Sequence, residues 1–314
     1  MIFNKNLRNL VTGGAGFIGS HIVDKLIKSG EEVLCLDNFI TGSKSNIKKW
    51  MTNPNFKLLK HNIVKPVDLN VERIWHFACP ASPKHYQSDP IKTLNISFNG
   101  SFNMLKIAKK YNSTILLASS SEVYGDGLIH PQVESYTGSV NTTSNKSCYV
   151  EGKRIAEALF FNYFKYYDVD TKIARIFNTY GPNMLPNDGR VISNFICQAL
   201  DNKNLTIYGD GEQTRSFCFI DDLVDGLMKF MNSNEKGPMN FGNADEEYTI
   251  NDLAYLIKEK INPLIKFENQ PLPQDDHLKR KPVISLAKKK LNWEPKTNLK
   301  QGLEITINYF KNQI

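Results

Sequence analysis

Short apolar segments alternate with longer amphipathic segments over the first half of the chain and a little beyond. The short segments are typical of buried strands, and they lie at residues 9–12, 32–36, 56–59, 73–78, 114–118 and 172–176. Between several of them apolar residues recur at helical spacing, as in the helix predicted over residues 20–29. Because strands that alternate with helices build a parallel sheet covered by helices, the pattern predicts an α/β fold with a doubly wound parallel sheet.

The regular alternation stops after residue 178. Turn sequences then become frequent, at Gly181-Pro182, Asn187-Asp188-Gly189 and Gly209-Asp210-Gly211. We therefore predict a first domain over residues 1–178 and a smaller, mixed α/β C-terminal domain over residues 179–314. The segment of about residues 213–232 is expected to return to the first domain.

Two further helices are predicted in the C-terminal part. Asp221 opens an apolar-periodic segment that runs through Met231. Thr249 or Asn251, whose side chains can accept a hydrogen bond at a helix N-terminus, would cap a second helix that ends at Ile261.

Composition is that of an ordinary globular protein, with 314 residues and 41% hydrophobic content. No apolar run approaches the roughly 18 residues that span a bilayer, and residues 1–8 are too polar for a signal peptide. The five cysteines are odd in number and show no paired or metal-like spacing, which predicts reduced thiols. We therefore expect a cytoplasmic protein without a membrane partner.

The net charge of +7 suits an anionic ligand. The lysines are scattered along the chain rather than massed into a basic stripe. A nucleic-acid partner is therefore not expected.

A glycine-rich turn follows the first predicted strand. Gly13, Gly16 and Gly19 are spaced as Gly-x-x-Gly-x-x-Gly and lead into the first helix, so the backbone can turn tightly and approach a pyrophosphate at the positive end of that helix. Asp37 ends the second strand, 24 positions after Gly13. A carboxylate there accepts hydrogen bonds from an adenosine ribose and repels a 2′-phosphate. The sequence therefore predicts a Rossmann-like first domain that binds NAD rather than NADP.

Tyr149 and Lys153 are four residues apart on a predicted helix, so their side chains share one face. Ser119, Ser120 and Ser121 follow a predicted strand upstream of them. To act as a base near neutral pH, a tyrosine needs about 4 kcal/mol of stabilisation of its phenolate. Lys153 and an oxidised nicotinamide ring would supply the positive charge. The pattern predicts that Tyr149 takes the proton of a sugar hydroxyl.

The helix that carries Tyr149 continues to Tyr167. Its apolar stripe is too wide and too aromatic for one solvated face, and it contains Ile155, Ala156, Leu159, Phe160, Tyr163, Phe164 and Tyr167. Such a stripe packs either wholly inside its own domain or against a partner subunit. We predict the second arrangement, a homodimer.

Six ordered motifs narrow the chemistry. They are Cys79-Pro80-Ala81-Ser82-Pro83, Ser119-Ser120-Ser121-Glu122-Val123-Tyr124-Gly125, Glu151-Gly152-Lys153-Arg154, Ala174-Arg175-Ile176-Phe177-Asn178-Thr179-Tyr180-Gly181-Pro182, Asn187-Asp188-Gly189-Arg190 and Gln213-Thr214-Arg215. With the glycine turn, they make the chain resemble the extended short-chain dehydrogenases that act on nucleotide sugars, from Leu10 to Tyr309. Within these it closely resembles the UDP-glucuronate decarboxylases, also called UDP-xylose synthases. The resemblance implies NAD-dependent decarboxylation of UDP-glucuronate to UDP-xylose through a 4-keto intermediate, with Tyr149 as the base, NAD regenerated and no metal.

The same resemblance implies the site residues. The catalytic residues are Tyr149, Lys153, Ser120, Ser121, Glu122 and Arg215. The cofactor-binding residues are Gly13, Gly16, Phe17, Ile18, Gly19, Asp37, Asn38, Thr41, Gly42, Asn62, Ile63, Ala78, Ser119, Tyr149, Lys153 and Phe177. The substrate-binding residues are Pro80, Ser82, Asn178, Arg190, Tyr208, Arg215 and Arg280.

The resemblance also implies roles for some of these residues. Arg215 would orient the sugar carboxylate, and Glu122 would act as acid, base or water-positioning group near carbon 5. Arg190, Tyr208 and Arg280 would contact the uridine and the diphosphate, which suit guanidinium forks and an aromatic face.

The pair Ser121-Glu122 separates this resemblance from two relatives. The dTDP-glucose 4,6-dehydratases have Asp-Glu at these positions, and their aspartate helps to expel the 6-hydroxyl. UDP-glucuronate has a carboxylate instead, which a second negative charge would repel. The 4-epimerases usually carry an apolar or small residue in place of Glu122. A 4,6-dehydratase, a UDP-sugar 4-epimerase and a catalytically silent NAD-binding regulatory protein remain the alternatives.

Five positions depart from the usual family pattern. Asn62 replaces an aspartate near adenine, Ser97 replaces an asparagine that supports the cofactor pocket, and Val150 replaces an acidic residue after the catalytic tyrosine. Asn183 replaces an arginine and Cys79 replaces a serine. These changes predict looser retention of NAD and some release of the 4-keto intermediate.

Overall fold

The structure is a computed structural model that describes residues 7–186, 188–273 and 278–313. Its strands are β1 (Leu7–Thr12), β2 (Val33–Asp37), β3 (Phe56–Lys60), β4 (Val71–His76), β5 (Thr114–Ser120), β6 (Thr171–Ile176), β7 (Thr179–Tyr180), β8 (Leu205–Tyr208), β9 (Thr214–Arg215), β10 (Cys218–Phe219), β11 (Met239–Phe241), β12 (Tyr248–Thr249), β13 (Phe267–Gln270) and β14 (Lys279–Arg280). Its α-helices are α1 (Phe17–Lys28), α2 (Lys44–Ile47), α3 (Pro83–Tyr86), α4 (Pro90–Asn95), α5 (Ser101–Tyr111), α6 (Ser147–Tyr167), α7 (Val191–Leu200), α8 (Ile220–Met231), α9 (Ile250–Ile261), α10 (Ser285–Leu291) and α11 (Leu299–Lys311). Lys48–Trp50 and Ser121–Tyr124 form 3₁₀ turns, and Ile96–Gly100 forms a π-helical turn between α4 and α5.

The main sheet of the described chain has the strand order β11-β6-β5-β4-β1-β2-β3. All its strand pairs are parallel. The six predicted strands are β1 to β6, and each lies within two residues of its predicted ends. The order reverses between β1 and β4, which is the topology of a doubly wound nucleotide-binding sheet. The predicted fold class is confirmed.

One strand of this sheet was not predicted. β11 pairs with β6 in the register Met239 to Ala174 and Phe241 to Ile176. Its three residues are too few to show a strand period, and its position is set by the edge that β6 offers. The C-terminal part of the chain therefore contributes an edge strand to the main sheet.

The predicted helices are present. α1 begins at Phe17, directly after the glycine turn, where the prediction began it at residue 20. The helix with Tyr149 is α6, which ends at Tyr167 as predicted. Thr249, not Asn251, caps α9, because its side chain accepts from Asp252 N while the Asp252 carboxylate accepts from Thr249 N.

The remaining strands form small sheets beyond the carboxyl edge of the main sheet. Their orders are β10-β7, β12-β9-β14 and β13-β8. Within the segment of residues 213–232, β9 lies in one of these small sheets, whereas α8 packs beside α1 and β5. The division of the chain at residues 178 and 179 stays a prediction.

Apolar side chains fill both sides of the main sheet. Ile22 and Leu26 of α1 belong to one buried cluster, and Met104 of α5 and Phe160 of α6 belong to another. β2 is buried at every position, as expected for an inner parallel strand. Within the described ranges, no helix combines the length and the apolar character needed to cross a membrane.

Candidate active site

A cavity of about 890 Å³ lies at the carboxyl ends of the parallel strands. Residues that directly follow β1, β2, β4, β5 and β6 line one side, and residues of the C-terminal part line the other. This is where open α/β sheets bind ligands. Its volume lies within the range of about 300–1,000 Å³ that small-molecule and cofactor sites occupy.

The glycine turn forms a tight cradle at one end of the cavity. Gly13 has φ +69°, and a Cβ there would lie 2.9 Å from the backbone of Ala78. A Cβ on Gly19 would clash with the carbonyl oxygen of Gly13. Only glycine fits at positions 13 and 19. The glycine turn therefore leaves its backbone uncovered by side chains just before α1 begins at Phe17. This geometry suits a pyrophosphate at the N-terminus of α1.

Asp37 ends β2 with its carboxylate held by the backbone. Oδ2 accepts from Ala15 N at 2.9 Å and Oδ1 accepts from Phe39 N at 2.8 Å. Burial raises the pKa of this carboxyl, and the backbone donors oppose that effect. Gly42 packs so closely that a Cβ there would lie 2.9 Å from both carboxylate oxygens. The carboxylate is therefore fixed at the ribose position of a nucleotide-binding fold.

Most predicted cofactor residues border the same cavity. Those that line it, besides the residues already described, are Ile18, Asn38, Thr41, Asn62, Ile63, Ala78, Ser119, Tyr149, Lys153 and Phe177. Gly42 does not line the cavity, and its contact is with Asp37. The residues present fit NAD in two respects: the glycine turn leaves room for its pyrophosphate, and the carboxylate of Asp37 is fixed where its ribose would lie.

Tyr149 and Lys153 lie side by side on α6, as predicted from their spacing. Lys153 Nζ donates to the carbonyl oxygen of Ala118 at 2.7 Å and lies 5.7 Å from the centre of the Tyr149 ring. Both side chains are buried and both border the cavity. The Ser120 hydroxyl makes a hydrogen bond to the Tyr149 phenol. The strand end and the helix therefore hold the predicted base and its lysine in one place.

Burial raises the pKa of Tyr149, and the nearby Cys79 and Glu122 raise it further. The Ser120 hydrogen bond and the Arg190 guanidinium lower it, but the burial effect is larger. The sequence predicted a lowered pKa from neighbouring positive charge. The side chains of the protein alone do not produce it.

Sequence reasoning missed Tyr86, which packs on the predicted base. The rings of Tyr86 and Tyr149 are stacked, with centres 5.0 Å apart and an angle of 7° between their planes. Tyr86 ends the four-residue helix α3 and is buried. No periodicity could have revealed it, since the two residues are far apart in sequence. The stack restricts the Tyr149 ring to one orientation.

The pair Ser121-Glu122 lies on the 3₁₀ turn that follows β5, with both side chains bordering the cavity. The guanidinium of Arg280 holds the backbone of this turn. Its Nη1 donates to Ser121 O at 3.1 Å and its Nη2 donates to Gly125 O at 2.9 Å. Nη2 is also 3.8 Å from Glu122 Oε1. Arg280 was predicted to contact the uridine or the diphosphate, and it does line the cavity. Its two hydrogen bonds, however, are to the backbone of the 3₁₀ turn that carries Ser121 and Glu122.

The other predicted substrate residues surround the far end of the cavity, which Pro80, Ser82, Asn178, Arg190, Tyr208 and Arg215 all line. Arg190 lies 3.2 Å from Asp188, and Arg215 donates to Thr214 O at 2.8 Å. Ser82 Oγ is buried and has no hydrogen-bond partner among the described residues. Asn187 of the matching motif lies outside the described residues.

Three of the five departures from the family pattern border the cavity, and each has local contacts. Asn62 Oδ1 accepts from Val64 N at 3.1 Å, and Asn183 Nδ2 donates to Ser20 Oγ at 3.0 Å. Cys79 Sγ lies 3.5 Å from Ser97 Oγ. Ser97 and the fifth position, Val150, are both buried. Their effect on NAD retention stays a prediction.

Comparisons with known proteins agree with this geometry. Residues 9–242 match the model of the NAD dependent epimerase/dehydratase family. The chain is 51% identical to UDP-glucuronic acid decarboxylase 2 of Arabidopsis thaliana over 310 aligned residues. The alignment covers 99% of this chain and 69% of the relative. Its fold is similar to that of a UDP-glucose 4-epimerase of Thermotoga maritima solved with UDP-glucose, with a TM-score of 0.89, 29% identity and coverage of 98% and 99% of the two chains. It is equally similar to a UDP-glucuronic acid 4-epimerase of Bacillus cereus in complex with UDP-glucuronic acid and NAD, with a TM-score of 0.89, 26% identity and coverage of 98% and 100%.

Proposed function

The chain belongs to the NAD dependent epimerase/dehydratase family and, within it, to the group of the UDP-glucuronic acid decarboxylases, and on that premise we propose that it converts UDP-glucuronate to UDP-xylose. The resemblance drawn from the sequence motifs is confirmed by this identity of about half the residues. The proposal is supported by one observation above the others: Ser121-Glu122 borders the same cavity as Tyr149 and the glycine cradle.

NAD is the cofactor. Gly13, Gly16 and Gly19 would leave room for its pyrophosphate, and Asp37 would accept hydrogen bonds from its ribose. When bound, NAD supplies a reversible acceptor for a hydride from carbon 4 of the sugar, so that a 4-keto sugar can form and be reduced again. A carboxylate β to that ketone is lost as carbon dioxide with its electrons held by the carbonyl.

Tyr149 takes the proton of the 4-hydroxyl and later returns it. Because burial raises its pKa, the phenolate needs positive charge beyond what the protein side chains provide. We propose that the phenolate forms in the complex with the oxidised cofactor, beside Lys153. Ser120, already hydrogen-bonded to Tyr149, would hold the phenol in line with the hydroxyl.

The remaining chemistry falls to three residues. Ser121 is neutral and leaves room for the substrate carboxylate, whereas an aspartate there would repel it. Arg215 would orient that carboxylate by a charge-assisted hydrogen bond. Glu122, partly exposed in the cavity, would deliver or position the proton that carbon 5 receives after carbon dioxide is lost.

Proton NMR of the purified protein with UDP-glucuronate, UDP-glucose and dTDP-glucose in separate samples tests the proposal. We expect the anomeric and carbon-5 signals of UDP-xylose from UDP-glucuronate alone. Formation of UDP-galacturonate would identify a 4-epimerase instead, and consumption of dTDP-glucose alone would identify a dehydratase. NAD binding without turnover of any of these sugars would favour the alternative of a catalytically silent NAD-binding regulatory protein.

Samples with and without added NAD test the predicted loose retention of the cofactor. Turnover that depends on added NAD, or signals of a 4-keto pentose, would support it. Full conversion to UDP-xylose without added NAD, and with no keto sugar, would contradict it.

We also propose that the protein is a homodimer. Part of the predicted stripe on α6 packs inside its own domain, where Phe160 is fully buried. The rest of the stripe includes Ile155, which is 41% exposed, on a helix along which α4 packs. Ile91 of α4 is 75% exposed, and Phe98 of the π-helical turn that follows α4 is 40% exposed. Large apolar side chains exposed on these neighbouring segments suit an isologous contact with a second copy.

Light scattering coupled to gel filtration tests this proposal. The native protein is expected at twice its chain mass, and Phe98→Glu is expected at the mass of one chain, since a charge on this face costs more than the contact gains. The matched control is Leu264→Glu, which changes an 88% exposed side chain elsewhere. A native mass of one chain, or a Phe98→Glu mass equal to the native one, would contradict the proposed face.

A cytoplasmic location is the last part of the proposal. All five cysteines are free thiols, as in proteins of reducing compartments. Cell fractionation is expected to recover the protein in the cytosolic fraction. Recovery with membranes would contradict it.

A further inference from the structure

Three successive residues at the end of β5 are each held by one residue of a single stripe on α6. Lys153 Nζ donates to Ala118 O at 2.7 Å, and Tyr149 shares a hydrogen bond with Ser120. Ser119 lies between Ala118 and Ser120 on the strand, and its hydroxyl donates at 2.5 Å to Oε1 of Glu157, one turn beyond Lys153 on the helix. The residues of α6 are spaced by four, so they lie on one face over about 12 Å of helix.

Glu157 is the most strongly held member of this stripe. Arg175 donates to it twice, from Nε to Oε1 at 3.0 Å and from Nη2 to Oε2 at 2.7 Å. Both side chains are largely buried, with 13% of Glu157 and 12% of Arg175 exposed. Ser119 and Arg175 are direct partners across β5 and β6, so their side chains point to the same face of the sheet. The carboxylate is thus fixed on both strands.

The fixed carboxylate determines what Ser119 can do. The only hydrogen of that hydroxyl points to Glu157, so Ser119 can offer the cavity only its acceptor lone pairs. The bond also fixes the distance between β5 and α6 one residue before Ser120 on the strand and one turn beyond Lys153 on the helix. A change of about 1 Å in such a distance can lower a rate by as much as 10²-fold.

We propose that Glu157 is a positioning residue for the proton transfer by Tyr149, and that it acts through Ser119. It does not touch the substrate. Its role is to fix the end of β5 against α6 so that Ser120 and Tyr149 stay in register. This inference rests on the proposed function, because the readout is turnover of UDP-glucuronate.

A double-mutant cycle tests it, with Ser119→Ala, Glu157→Met and the combination. Glu157→Met keeps the length of the side chain and removes both acceptor oxygens. Ser119→Ala leaves the Glu157–Arg175 pair intact, so the cycle includes a variant in which this ion pair is unbroken. Each single variant is expected to lower kcat about tenfold with KM changed less than about twofold. The double variant is expected to have the kcat of either single variant, because the second change removes a contact already lost. Glu259→Met, at an exposed carboxylate on α9, is the matched control and should leave kcat unchanged.

Other outcomes overturn the inference. If the two effects on kcat multiply to about a hundredfold, Glu157 acts independently of Ser119. If Glu157→Met lowers the melting temperature and leaves kcat unchanged, the pair with Arg175 is only structural. If the native protein does not turn over UDP-glucuronate, the proposed function fails. The same cycle is then measured on kcat for the nucleotide sugar that the protein does turn over, where coupled losses would keep the positioning role and multiplied losses would end it.

Discussion

Replacing Arg280 by Met separates two roles for a residue that the sequence assigned to the uridine or diphosphate. The guanidinium is 2% exposed and donates to Ser121 O at 3.1 Å and to Gly125 O at 2.9 Å. Methionine has a similar length and no donor. The substitution would therefore leave the backbone of the 3₁₀ turn that carries Ser121 and Glu122 without these two hydrogen bonds.

The cost can be worked from these two bonds. A buried carbonyl that loses its donor costs about 1–3 kcal/mol, so two of them cost about 4 kcal/mol of unfolding free energy. That is below the roughly 5–15 kcal/mol of a typical domain, so the variant should still fold. Because the turn carries Ser121 and Glu122, its relaxation should lower kcat by about ten- to a hundredfold. The KM for UDP-glucuronate should change less, since Arg190 and Tyr208 remain.

Urea unfolding and steady-state kinetics on the same preparations measure both quantities. Lys279→Met, at the exposed neighbouring position of β14, is the matched control and should change neither by more than about 0.5 kcal/mol or twofold. An Arg280→Met variant that keeps its stability and kcat but raises KM tenfold or more would refute the reasoning. Arg280 would then be a ligand contact, as the sequence suggested.

Two other predictions concern the nucleotide-binding half. Burial and the charge of Lys153 lower the pKa of His76 to about 3, so this buried histidine stays neutral while its unfolded counterpart, with a pKa of about 6.5, takes up a proton. The stability that this neutral histidine contributes is therefore complete above pH 6.5 and is lost as the pH falls towards 3. The free energy of unfolding should fall by about 2 kcal/mol from pH 7 to pH 5 because of this group. In urea unfolding, His76→Gln should remove this part of the pH dependence, and an unchanged pH dependence in the variant would refute the prediction. Gly19→Ala places a Cβ against Gly13 O and should lower NAD affinity at least tenfold in calorimetry, whereas unaltered affinity would contradict the tight cradle.

Much of the fold was predictable because local sequence patterns specify it. Six of the strands in the main sheet and the helices of Phe17 and Tyr149 follow from the alternation of apolar segments with helical spacing. The glycine turn and Asp37 follow from spacing after two strands, because parallel strands end at one edge. β11 has three residues and no period of its own, so only the sheet edge defines it.

The residues that hold the catalytic side chains in place were not predictable in the same way. Glu157 was not singled out from the sequence, since its partners Ser119 and Arg175 lie 38 and 18 positions away. Arg280 meets the catalytic turn across 159 positions. Such contacts depend on how strands and helices pack in three dimensions. The raised pKa of Tyr149 is of the same kind, because burial was invisible in the spacing that marked the residue as a base.

The most direct test of the account is proton NMR of the reaction with UDP-glucuronate in D₂O, with NAD present and Tyr149→Phe as the control. If carbon dioxide leaves from a 4-keto sugar and carbon 5 is then protonated from an exchangeable group, the UDP-xylose formed should carry one deuterium at carbon 5. Carbon 4 should keep its protium, because the hydrogen removed there is the one returned. The control should form no product. UDP-xylose without deuterium at carbon 5, deuterium at carbon 4, or an unchanged spectrum of UDP-glucuronate would contradict the account.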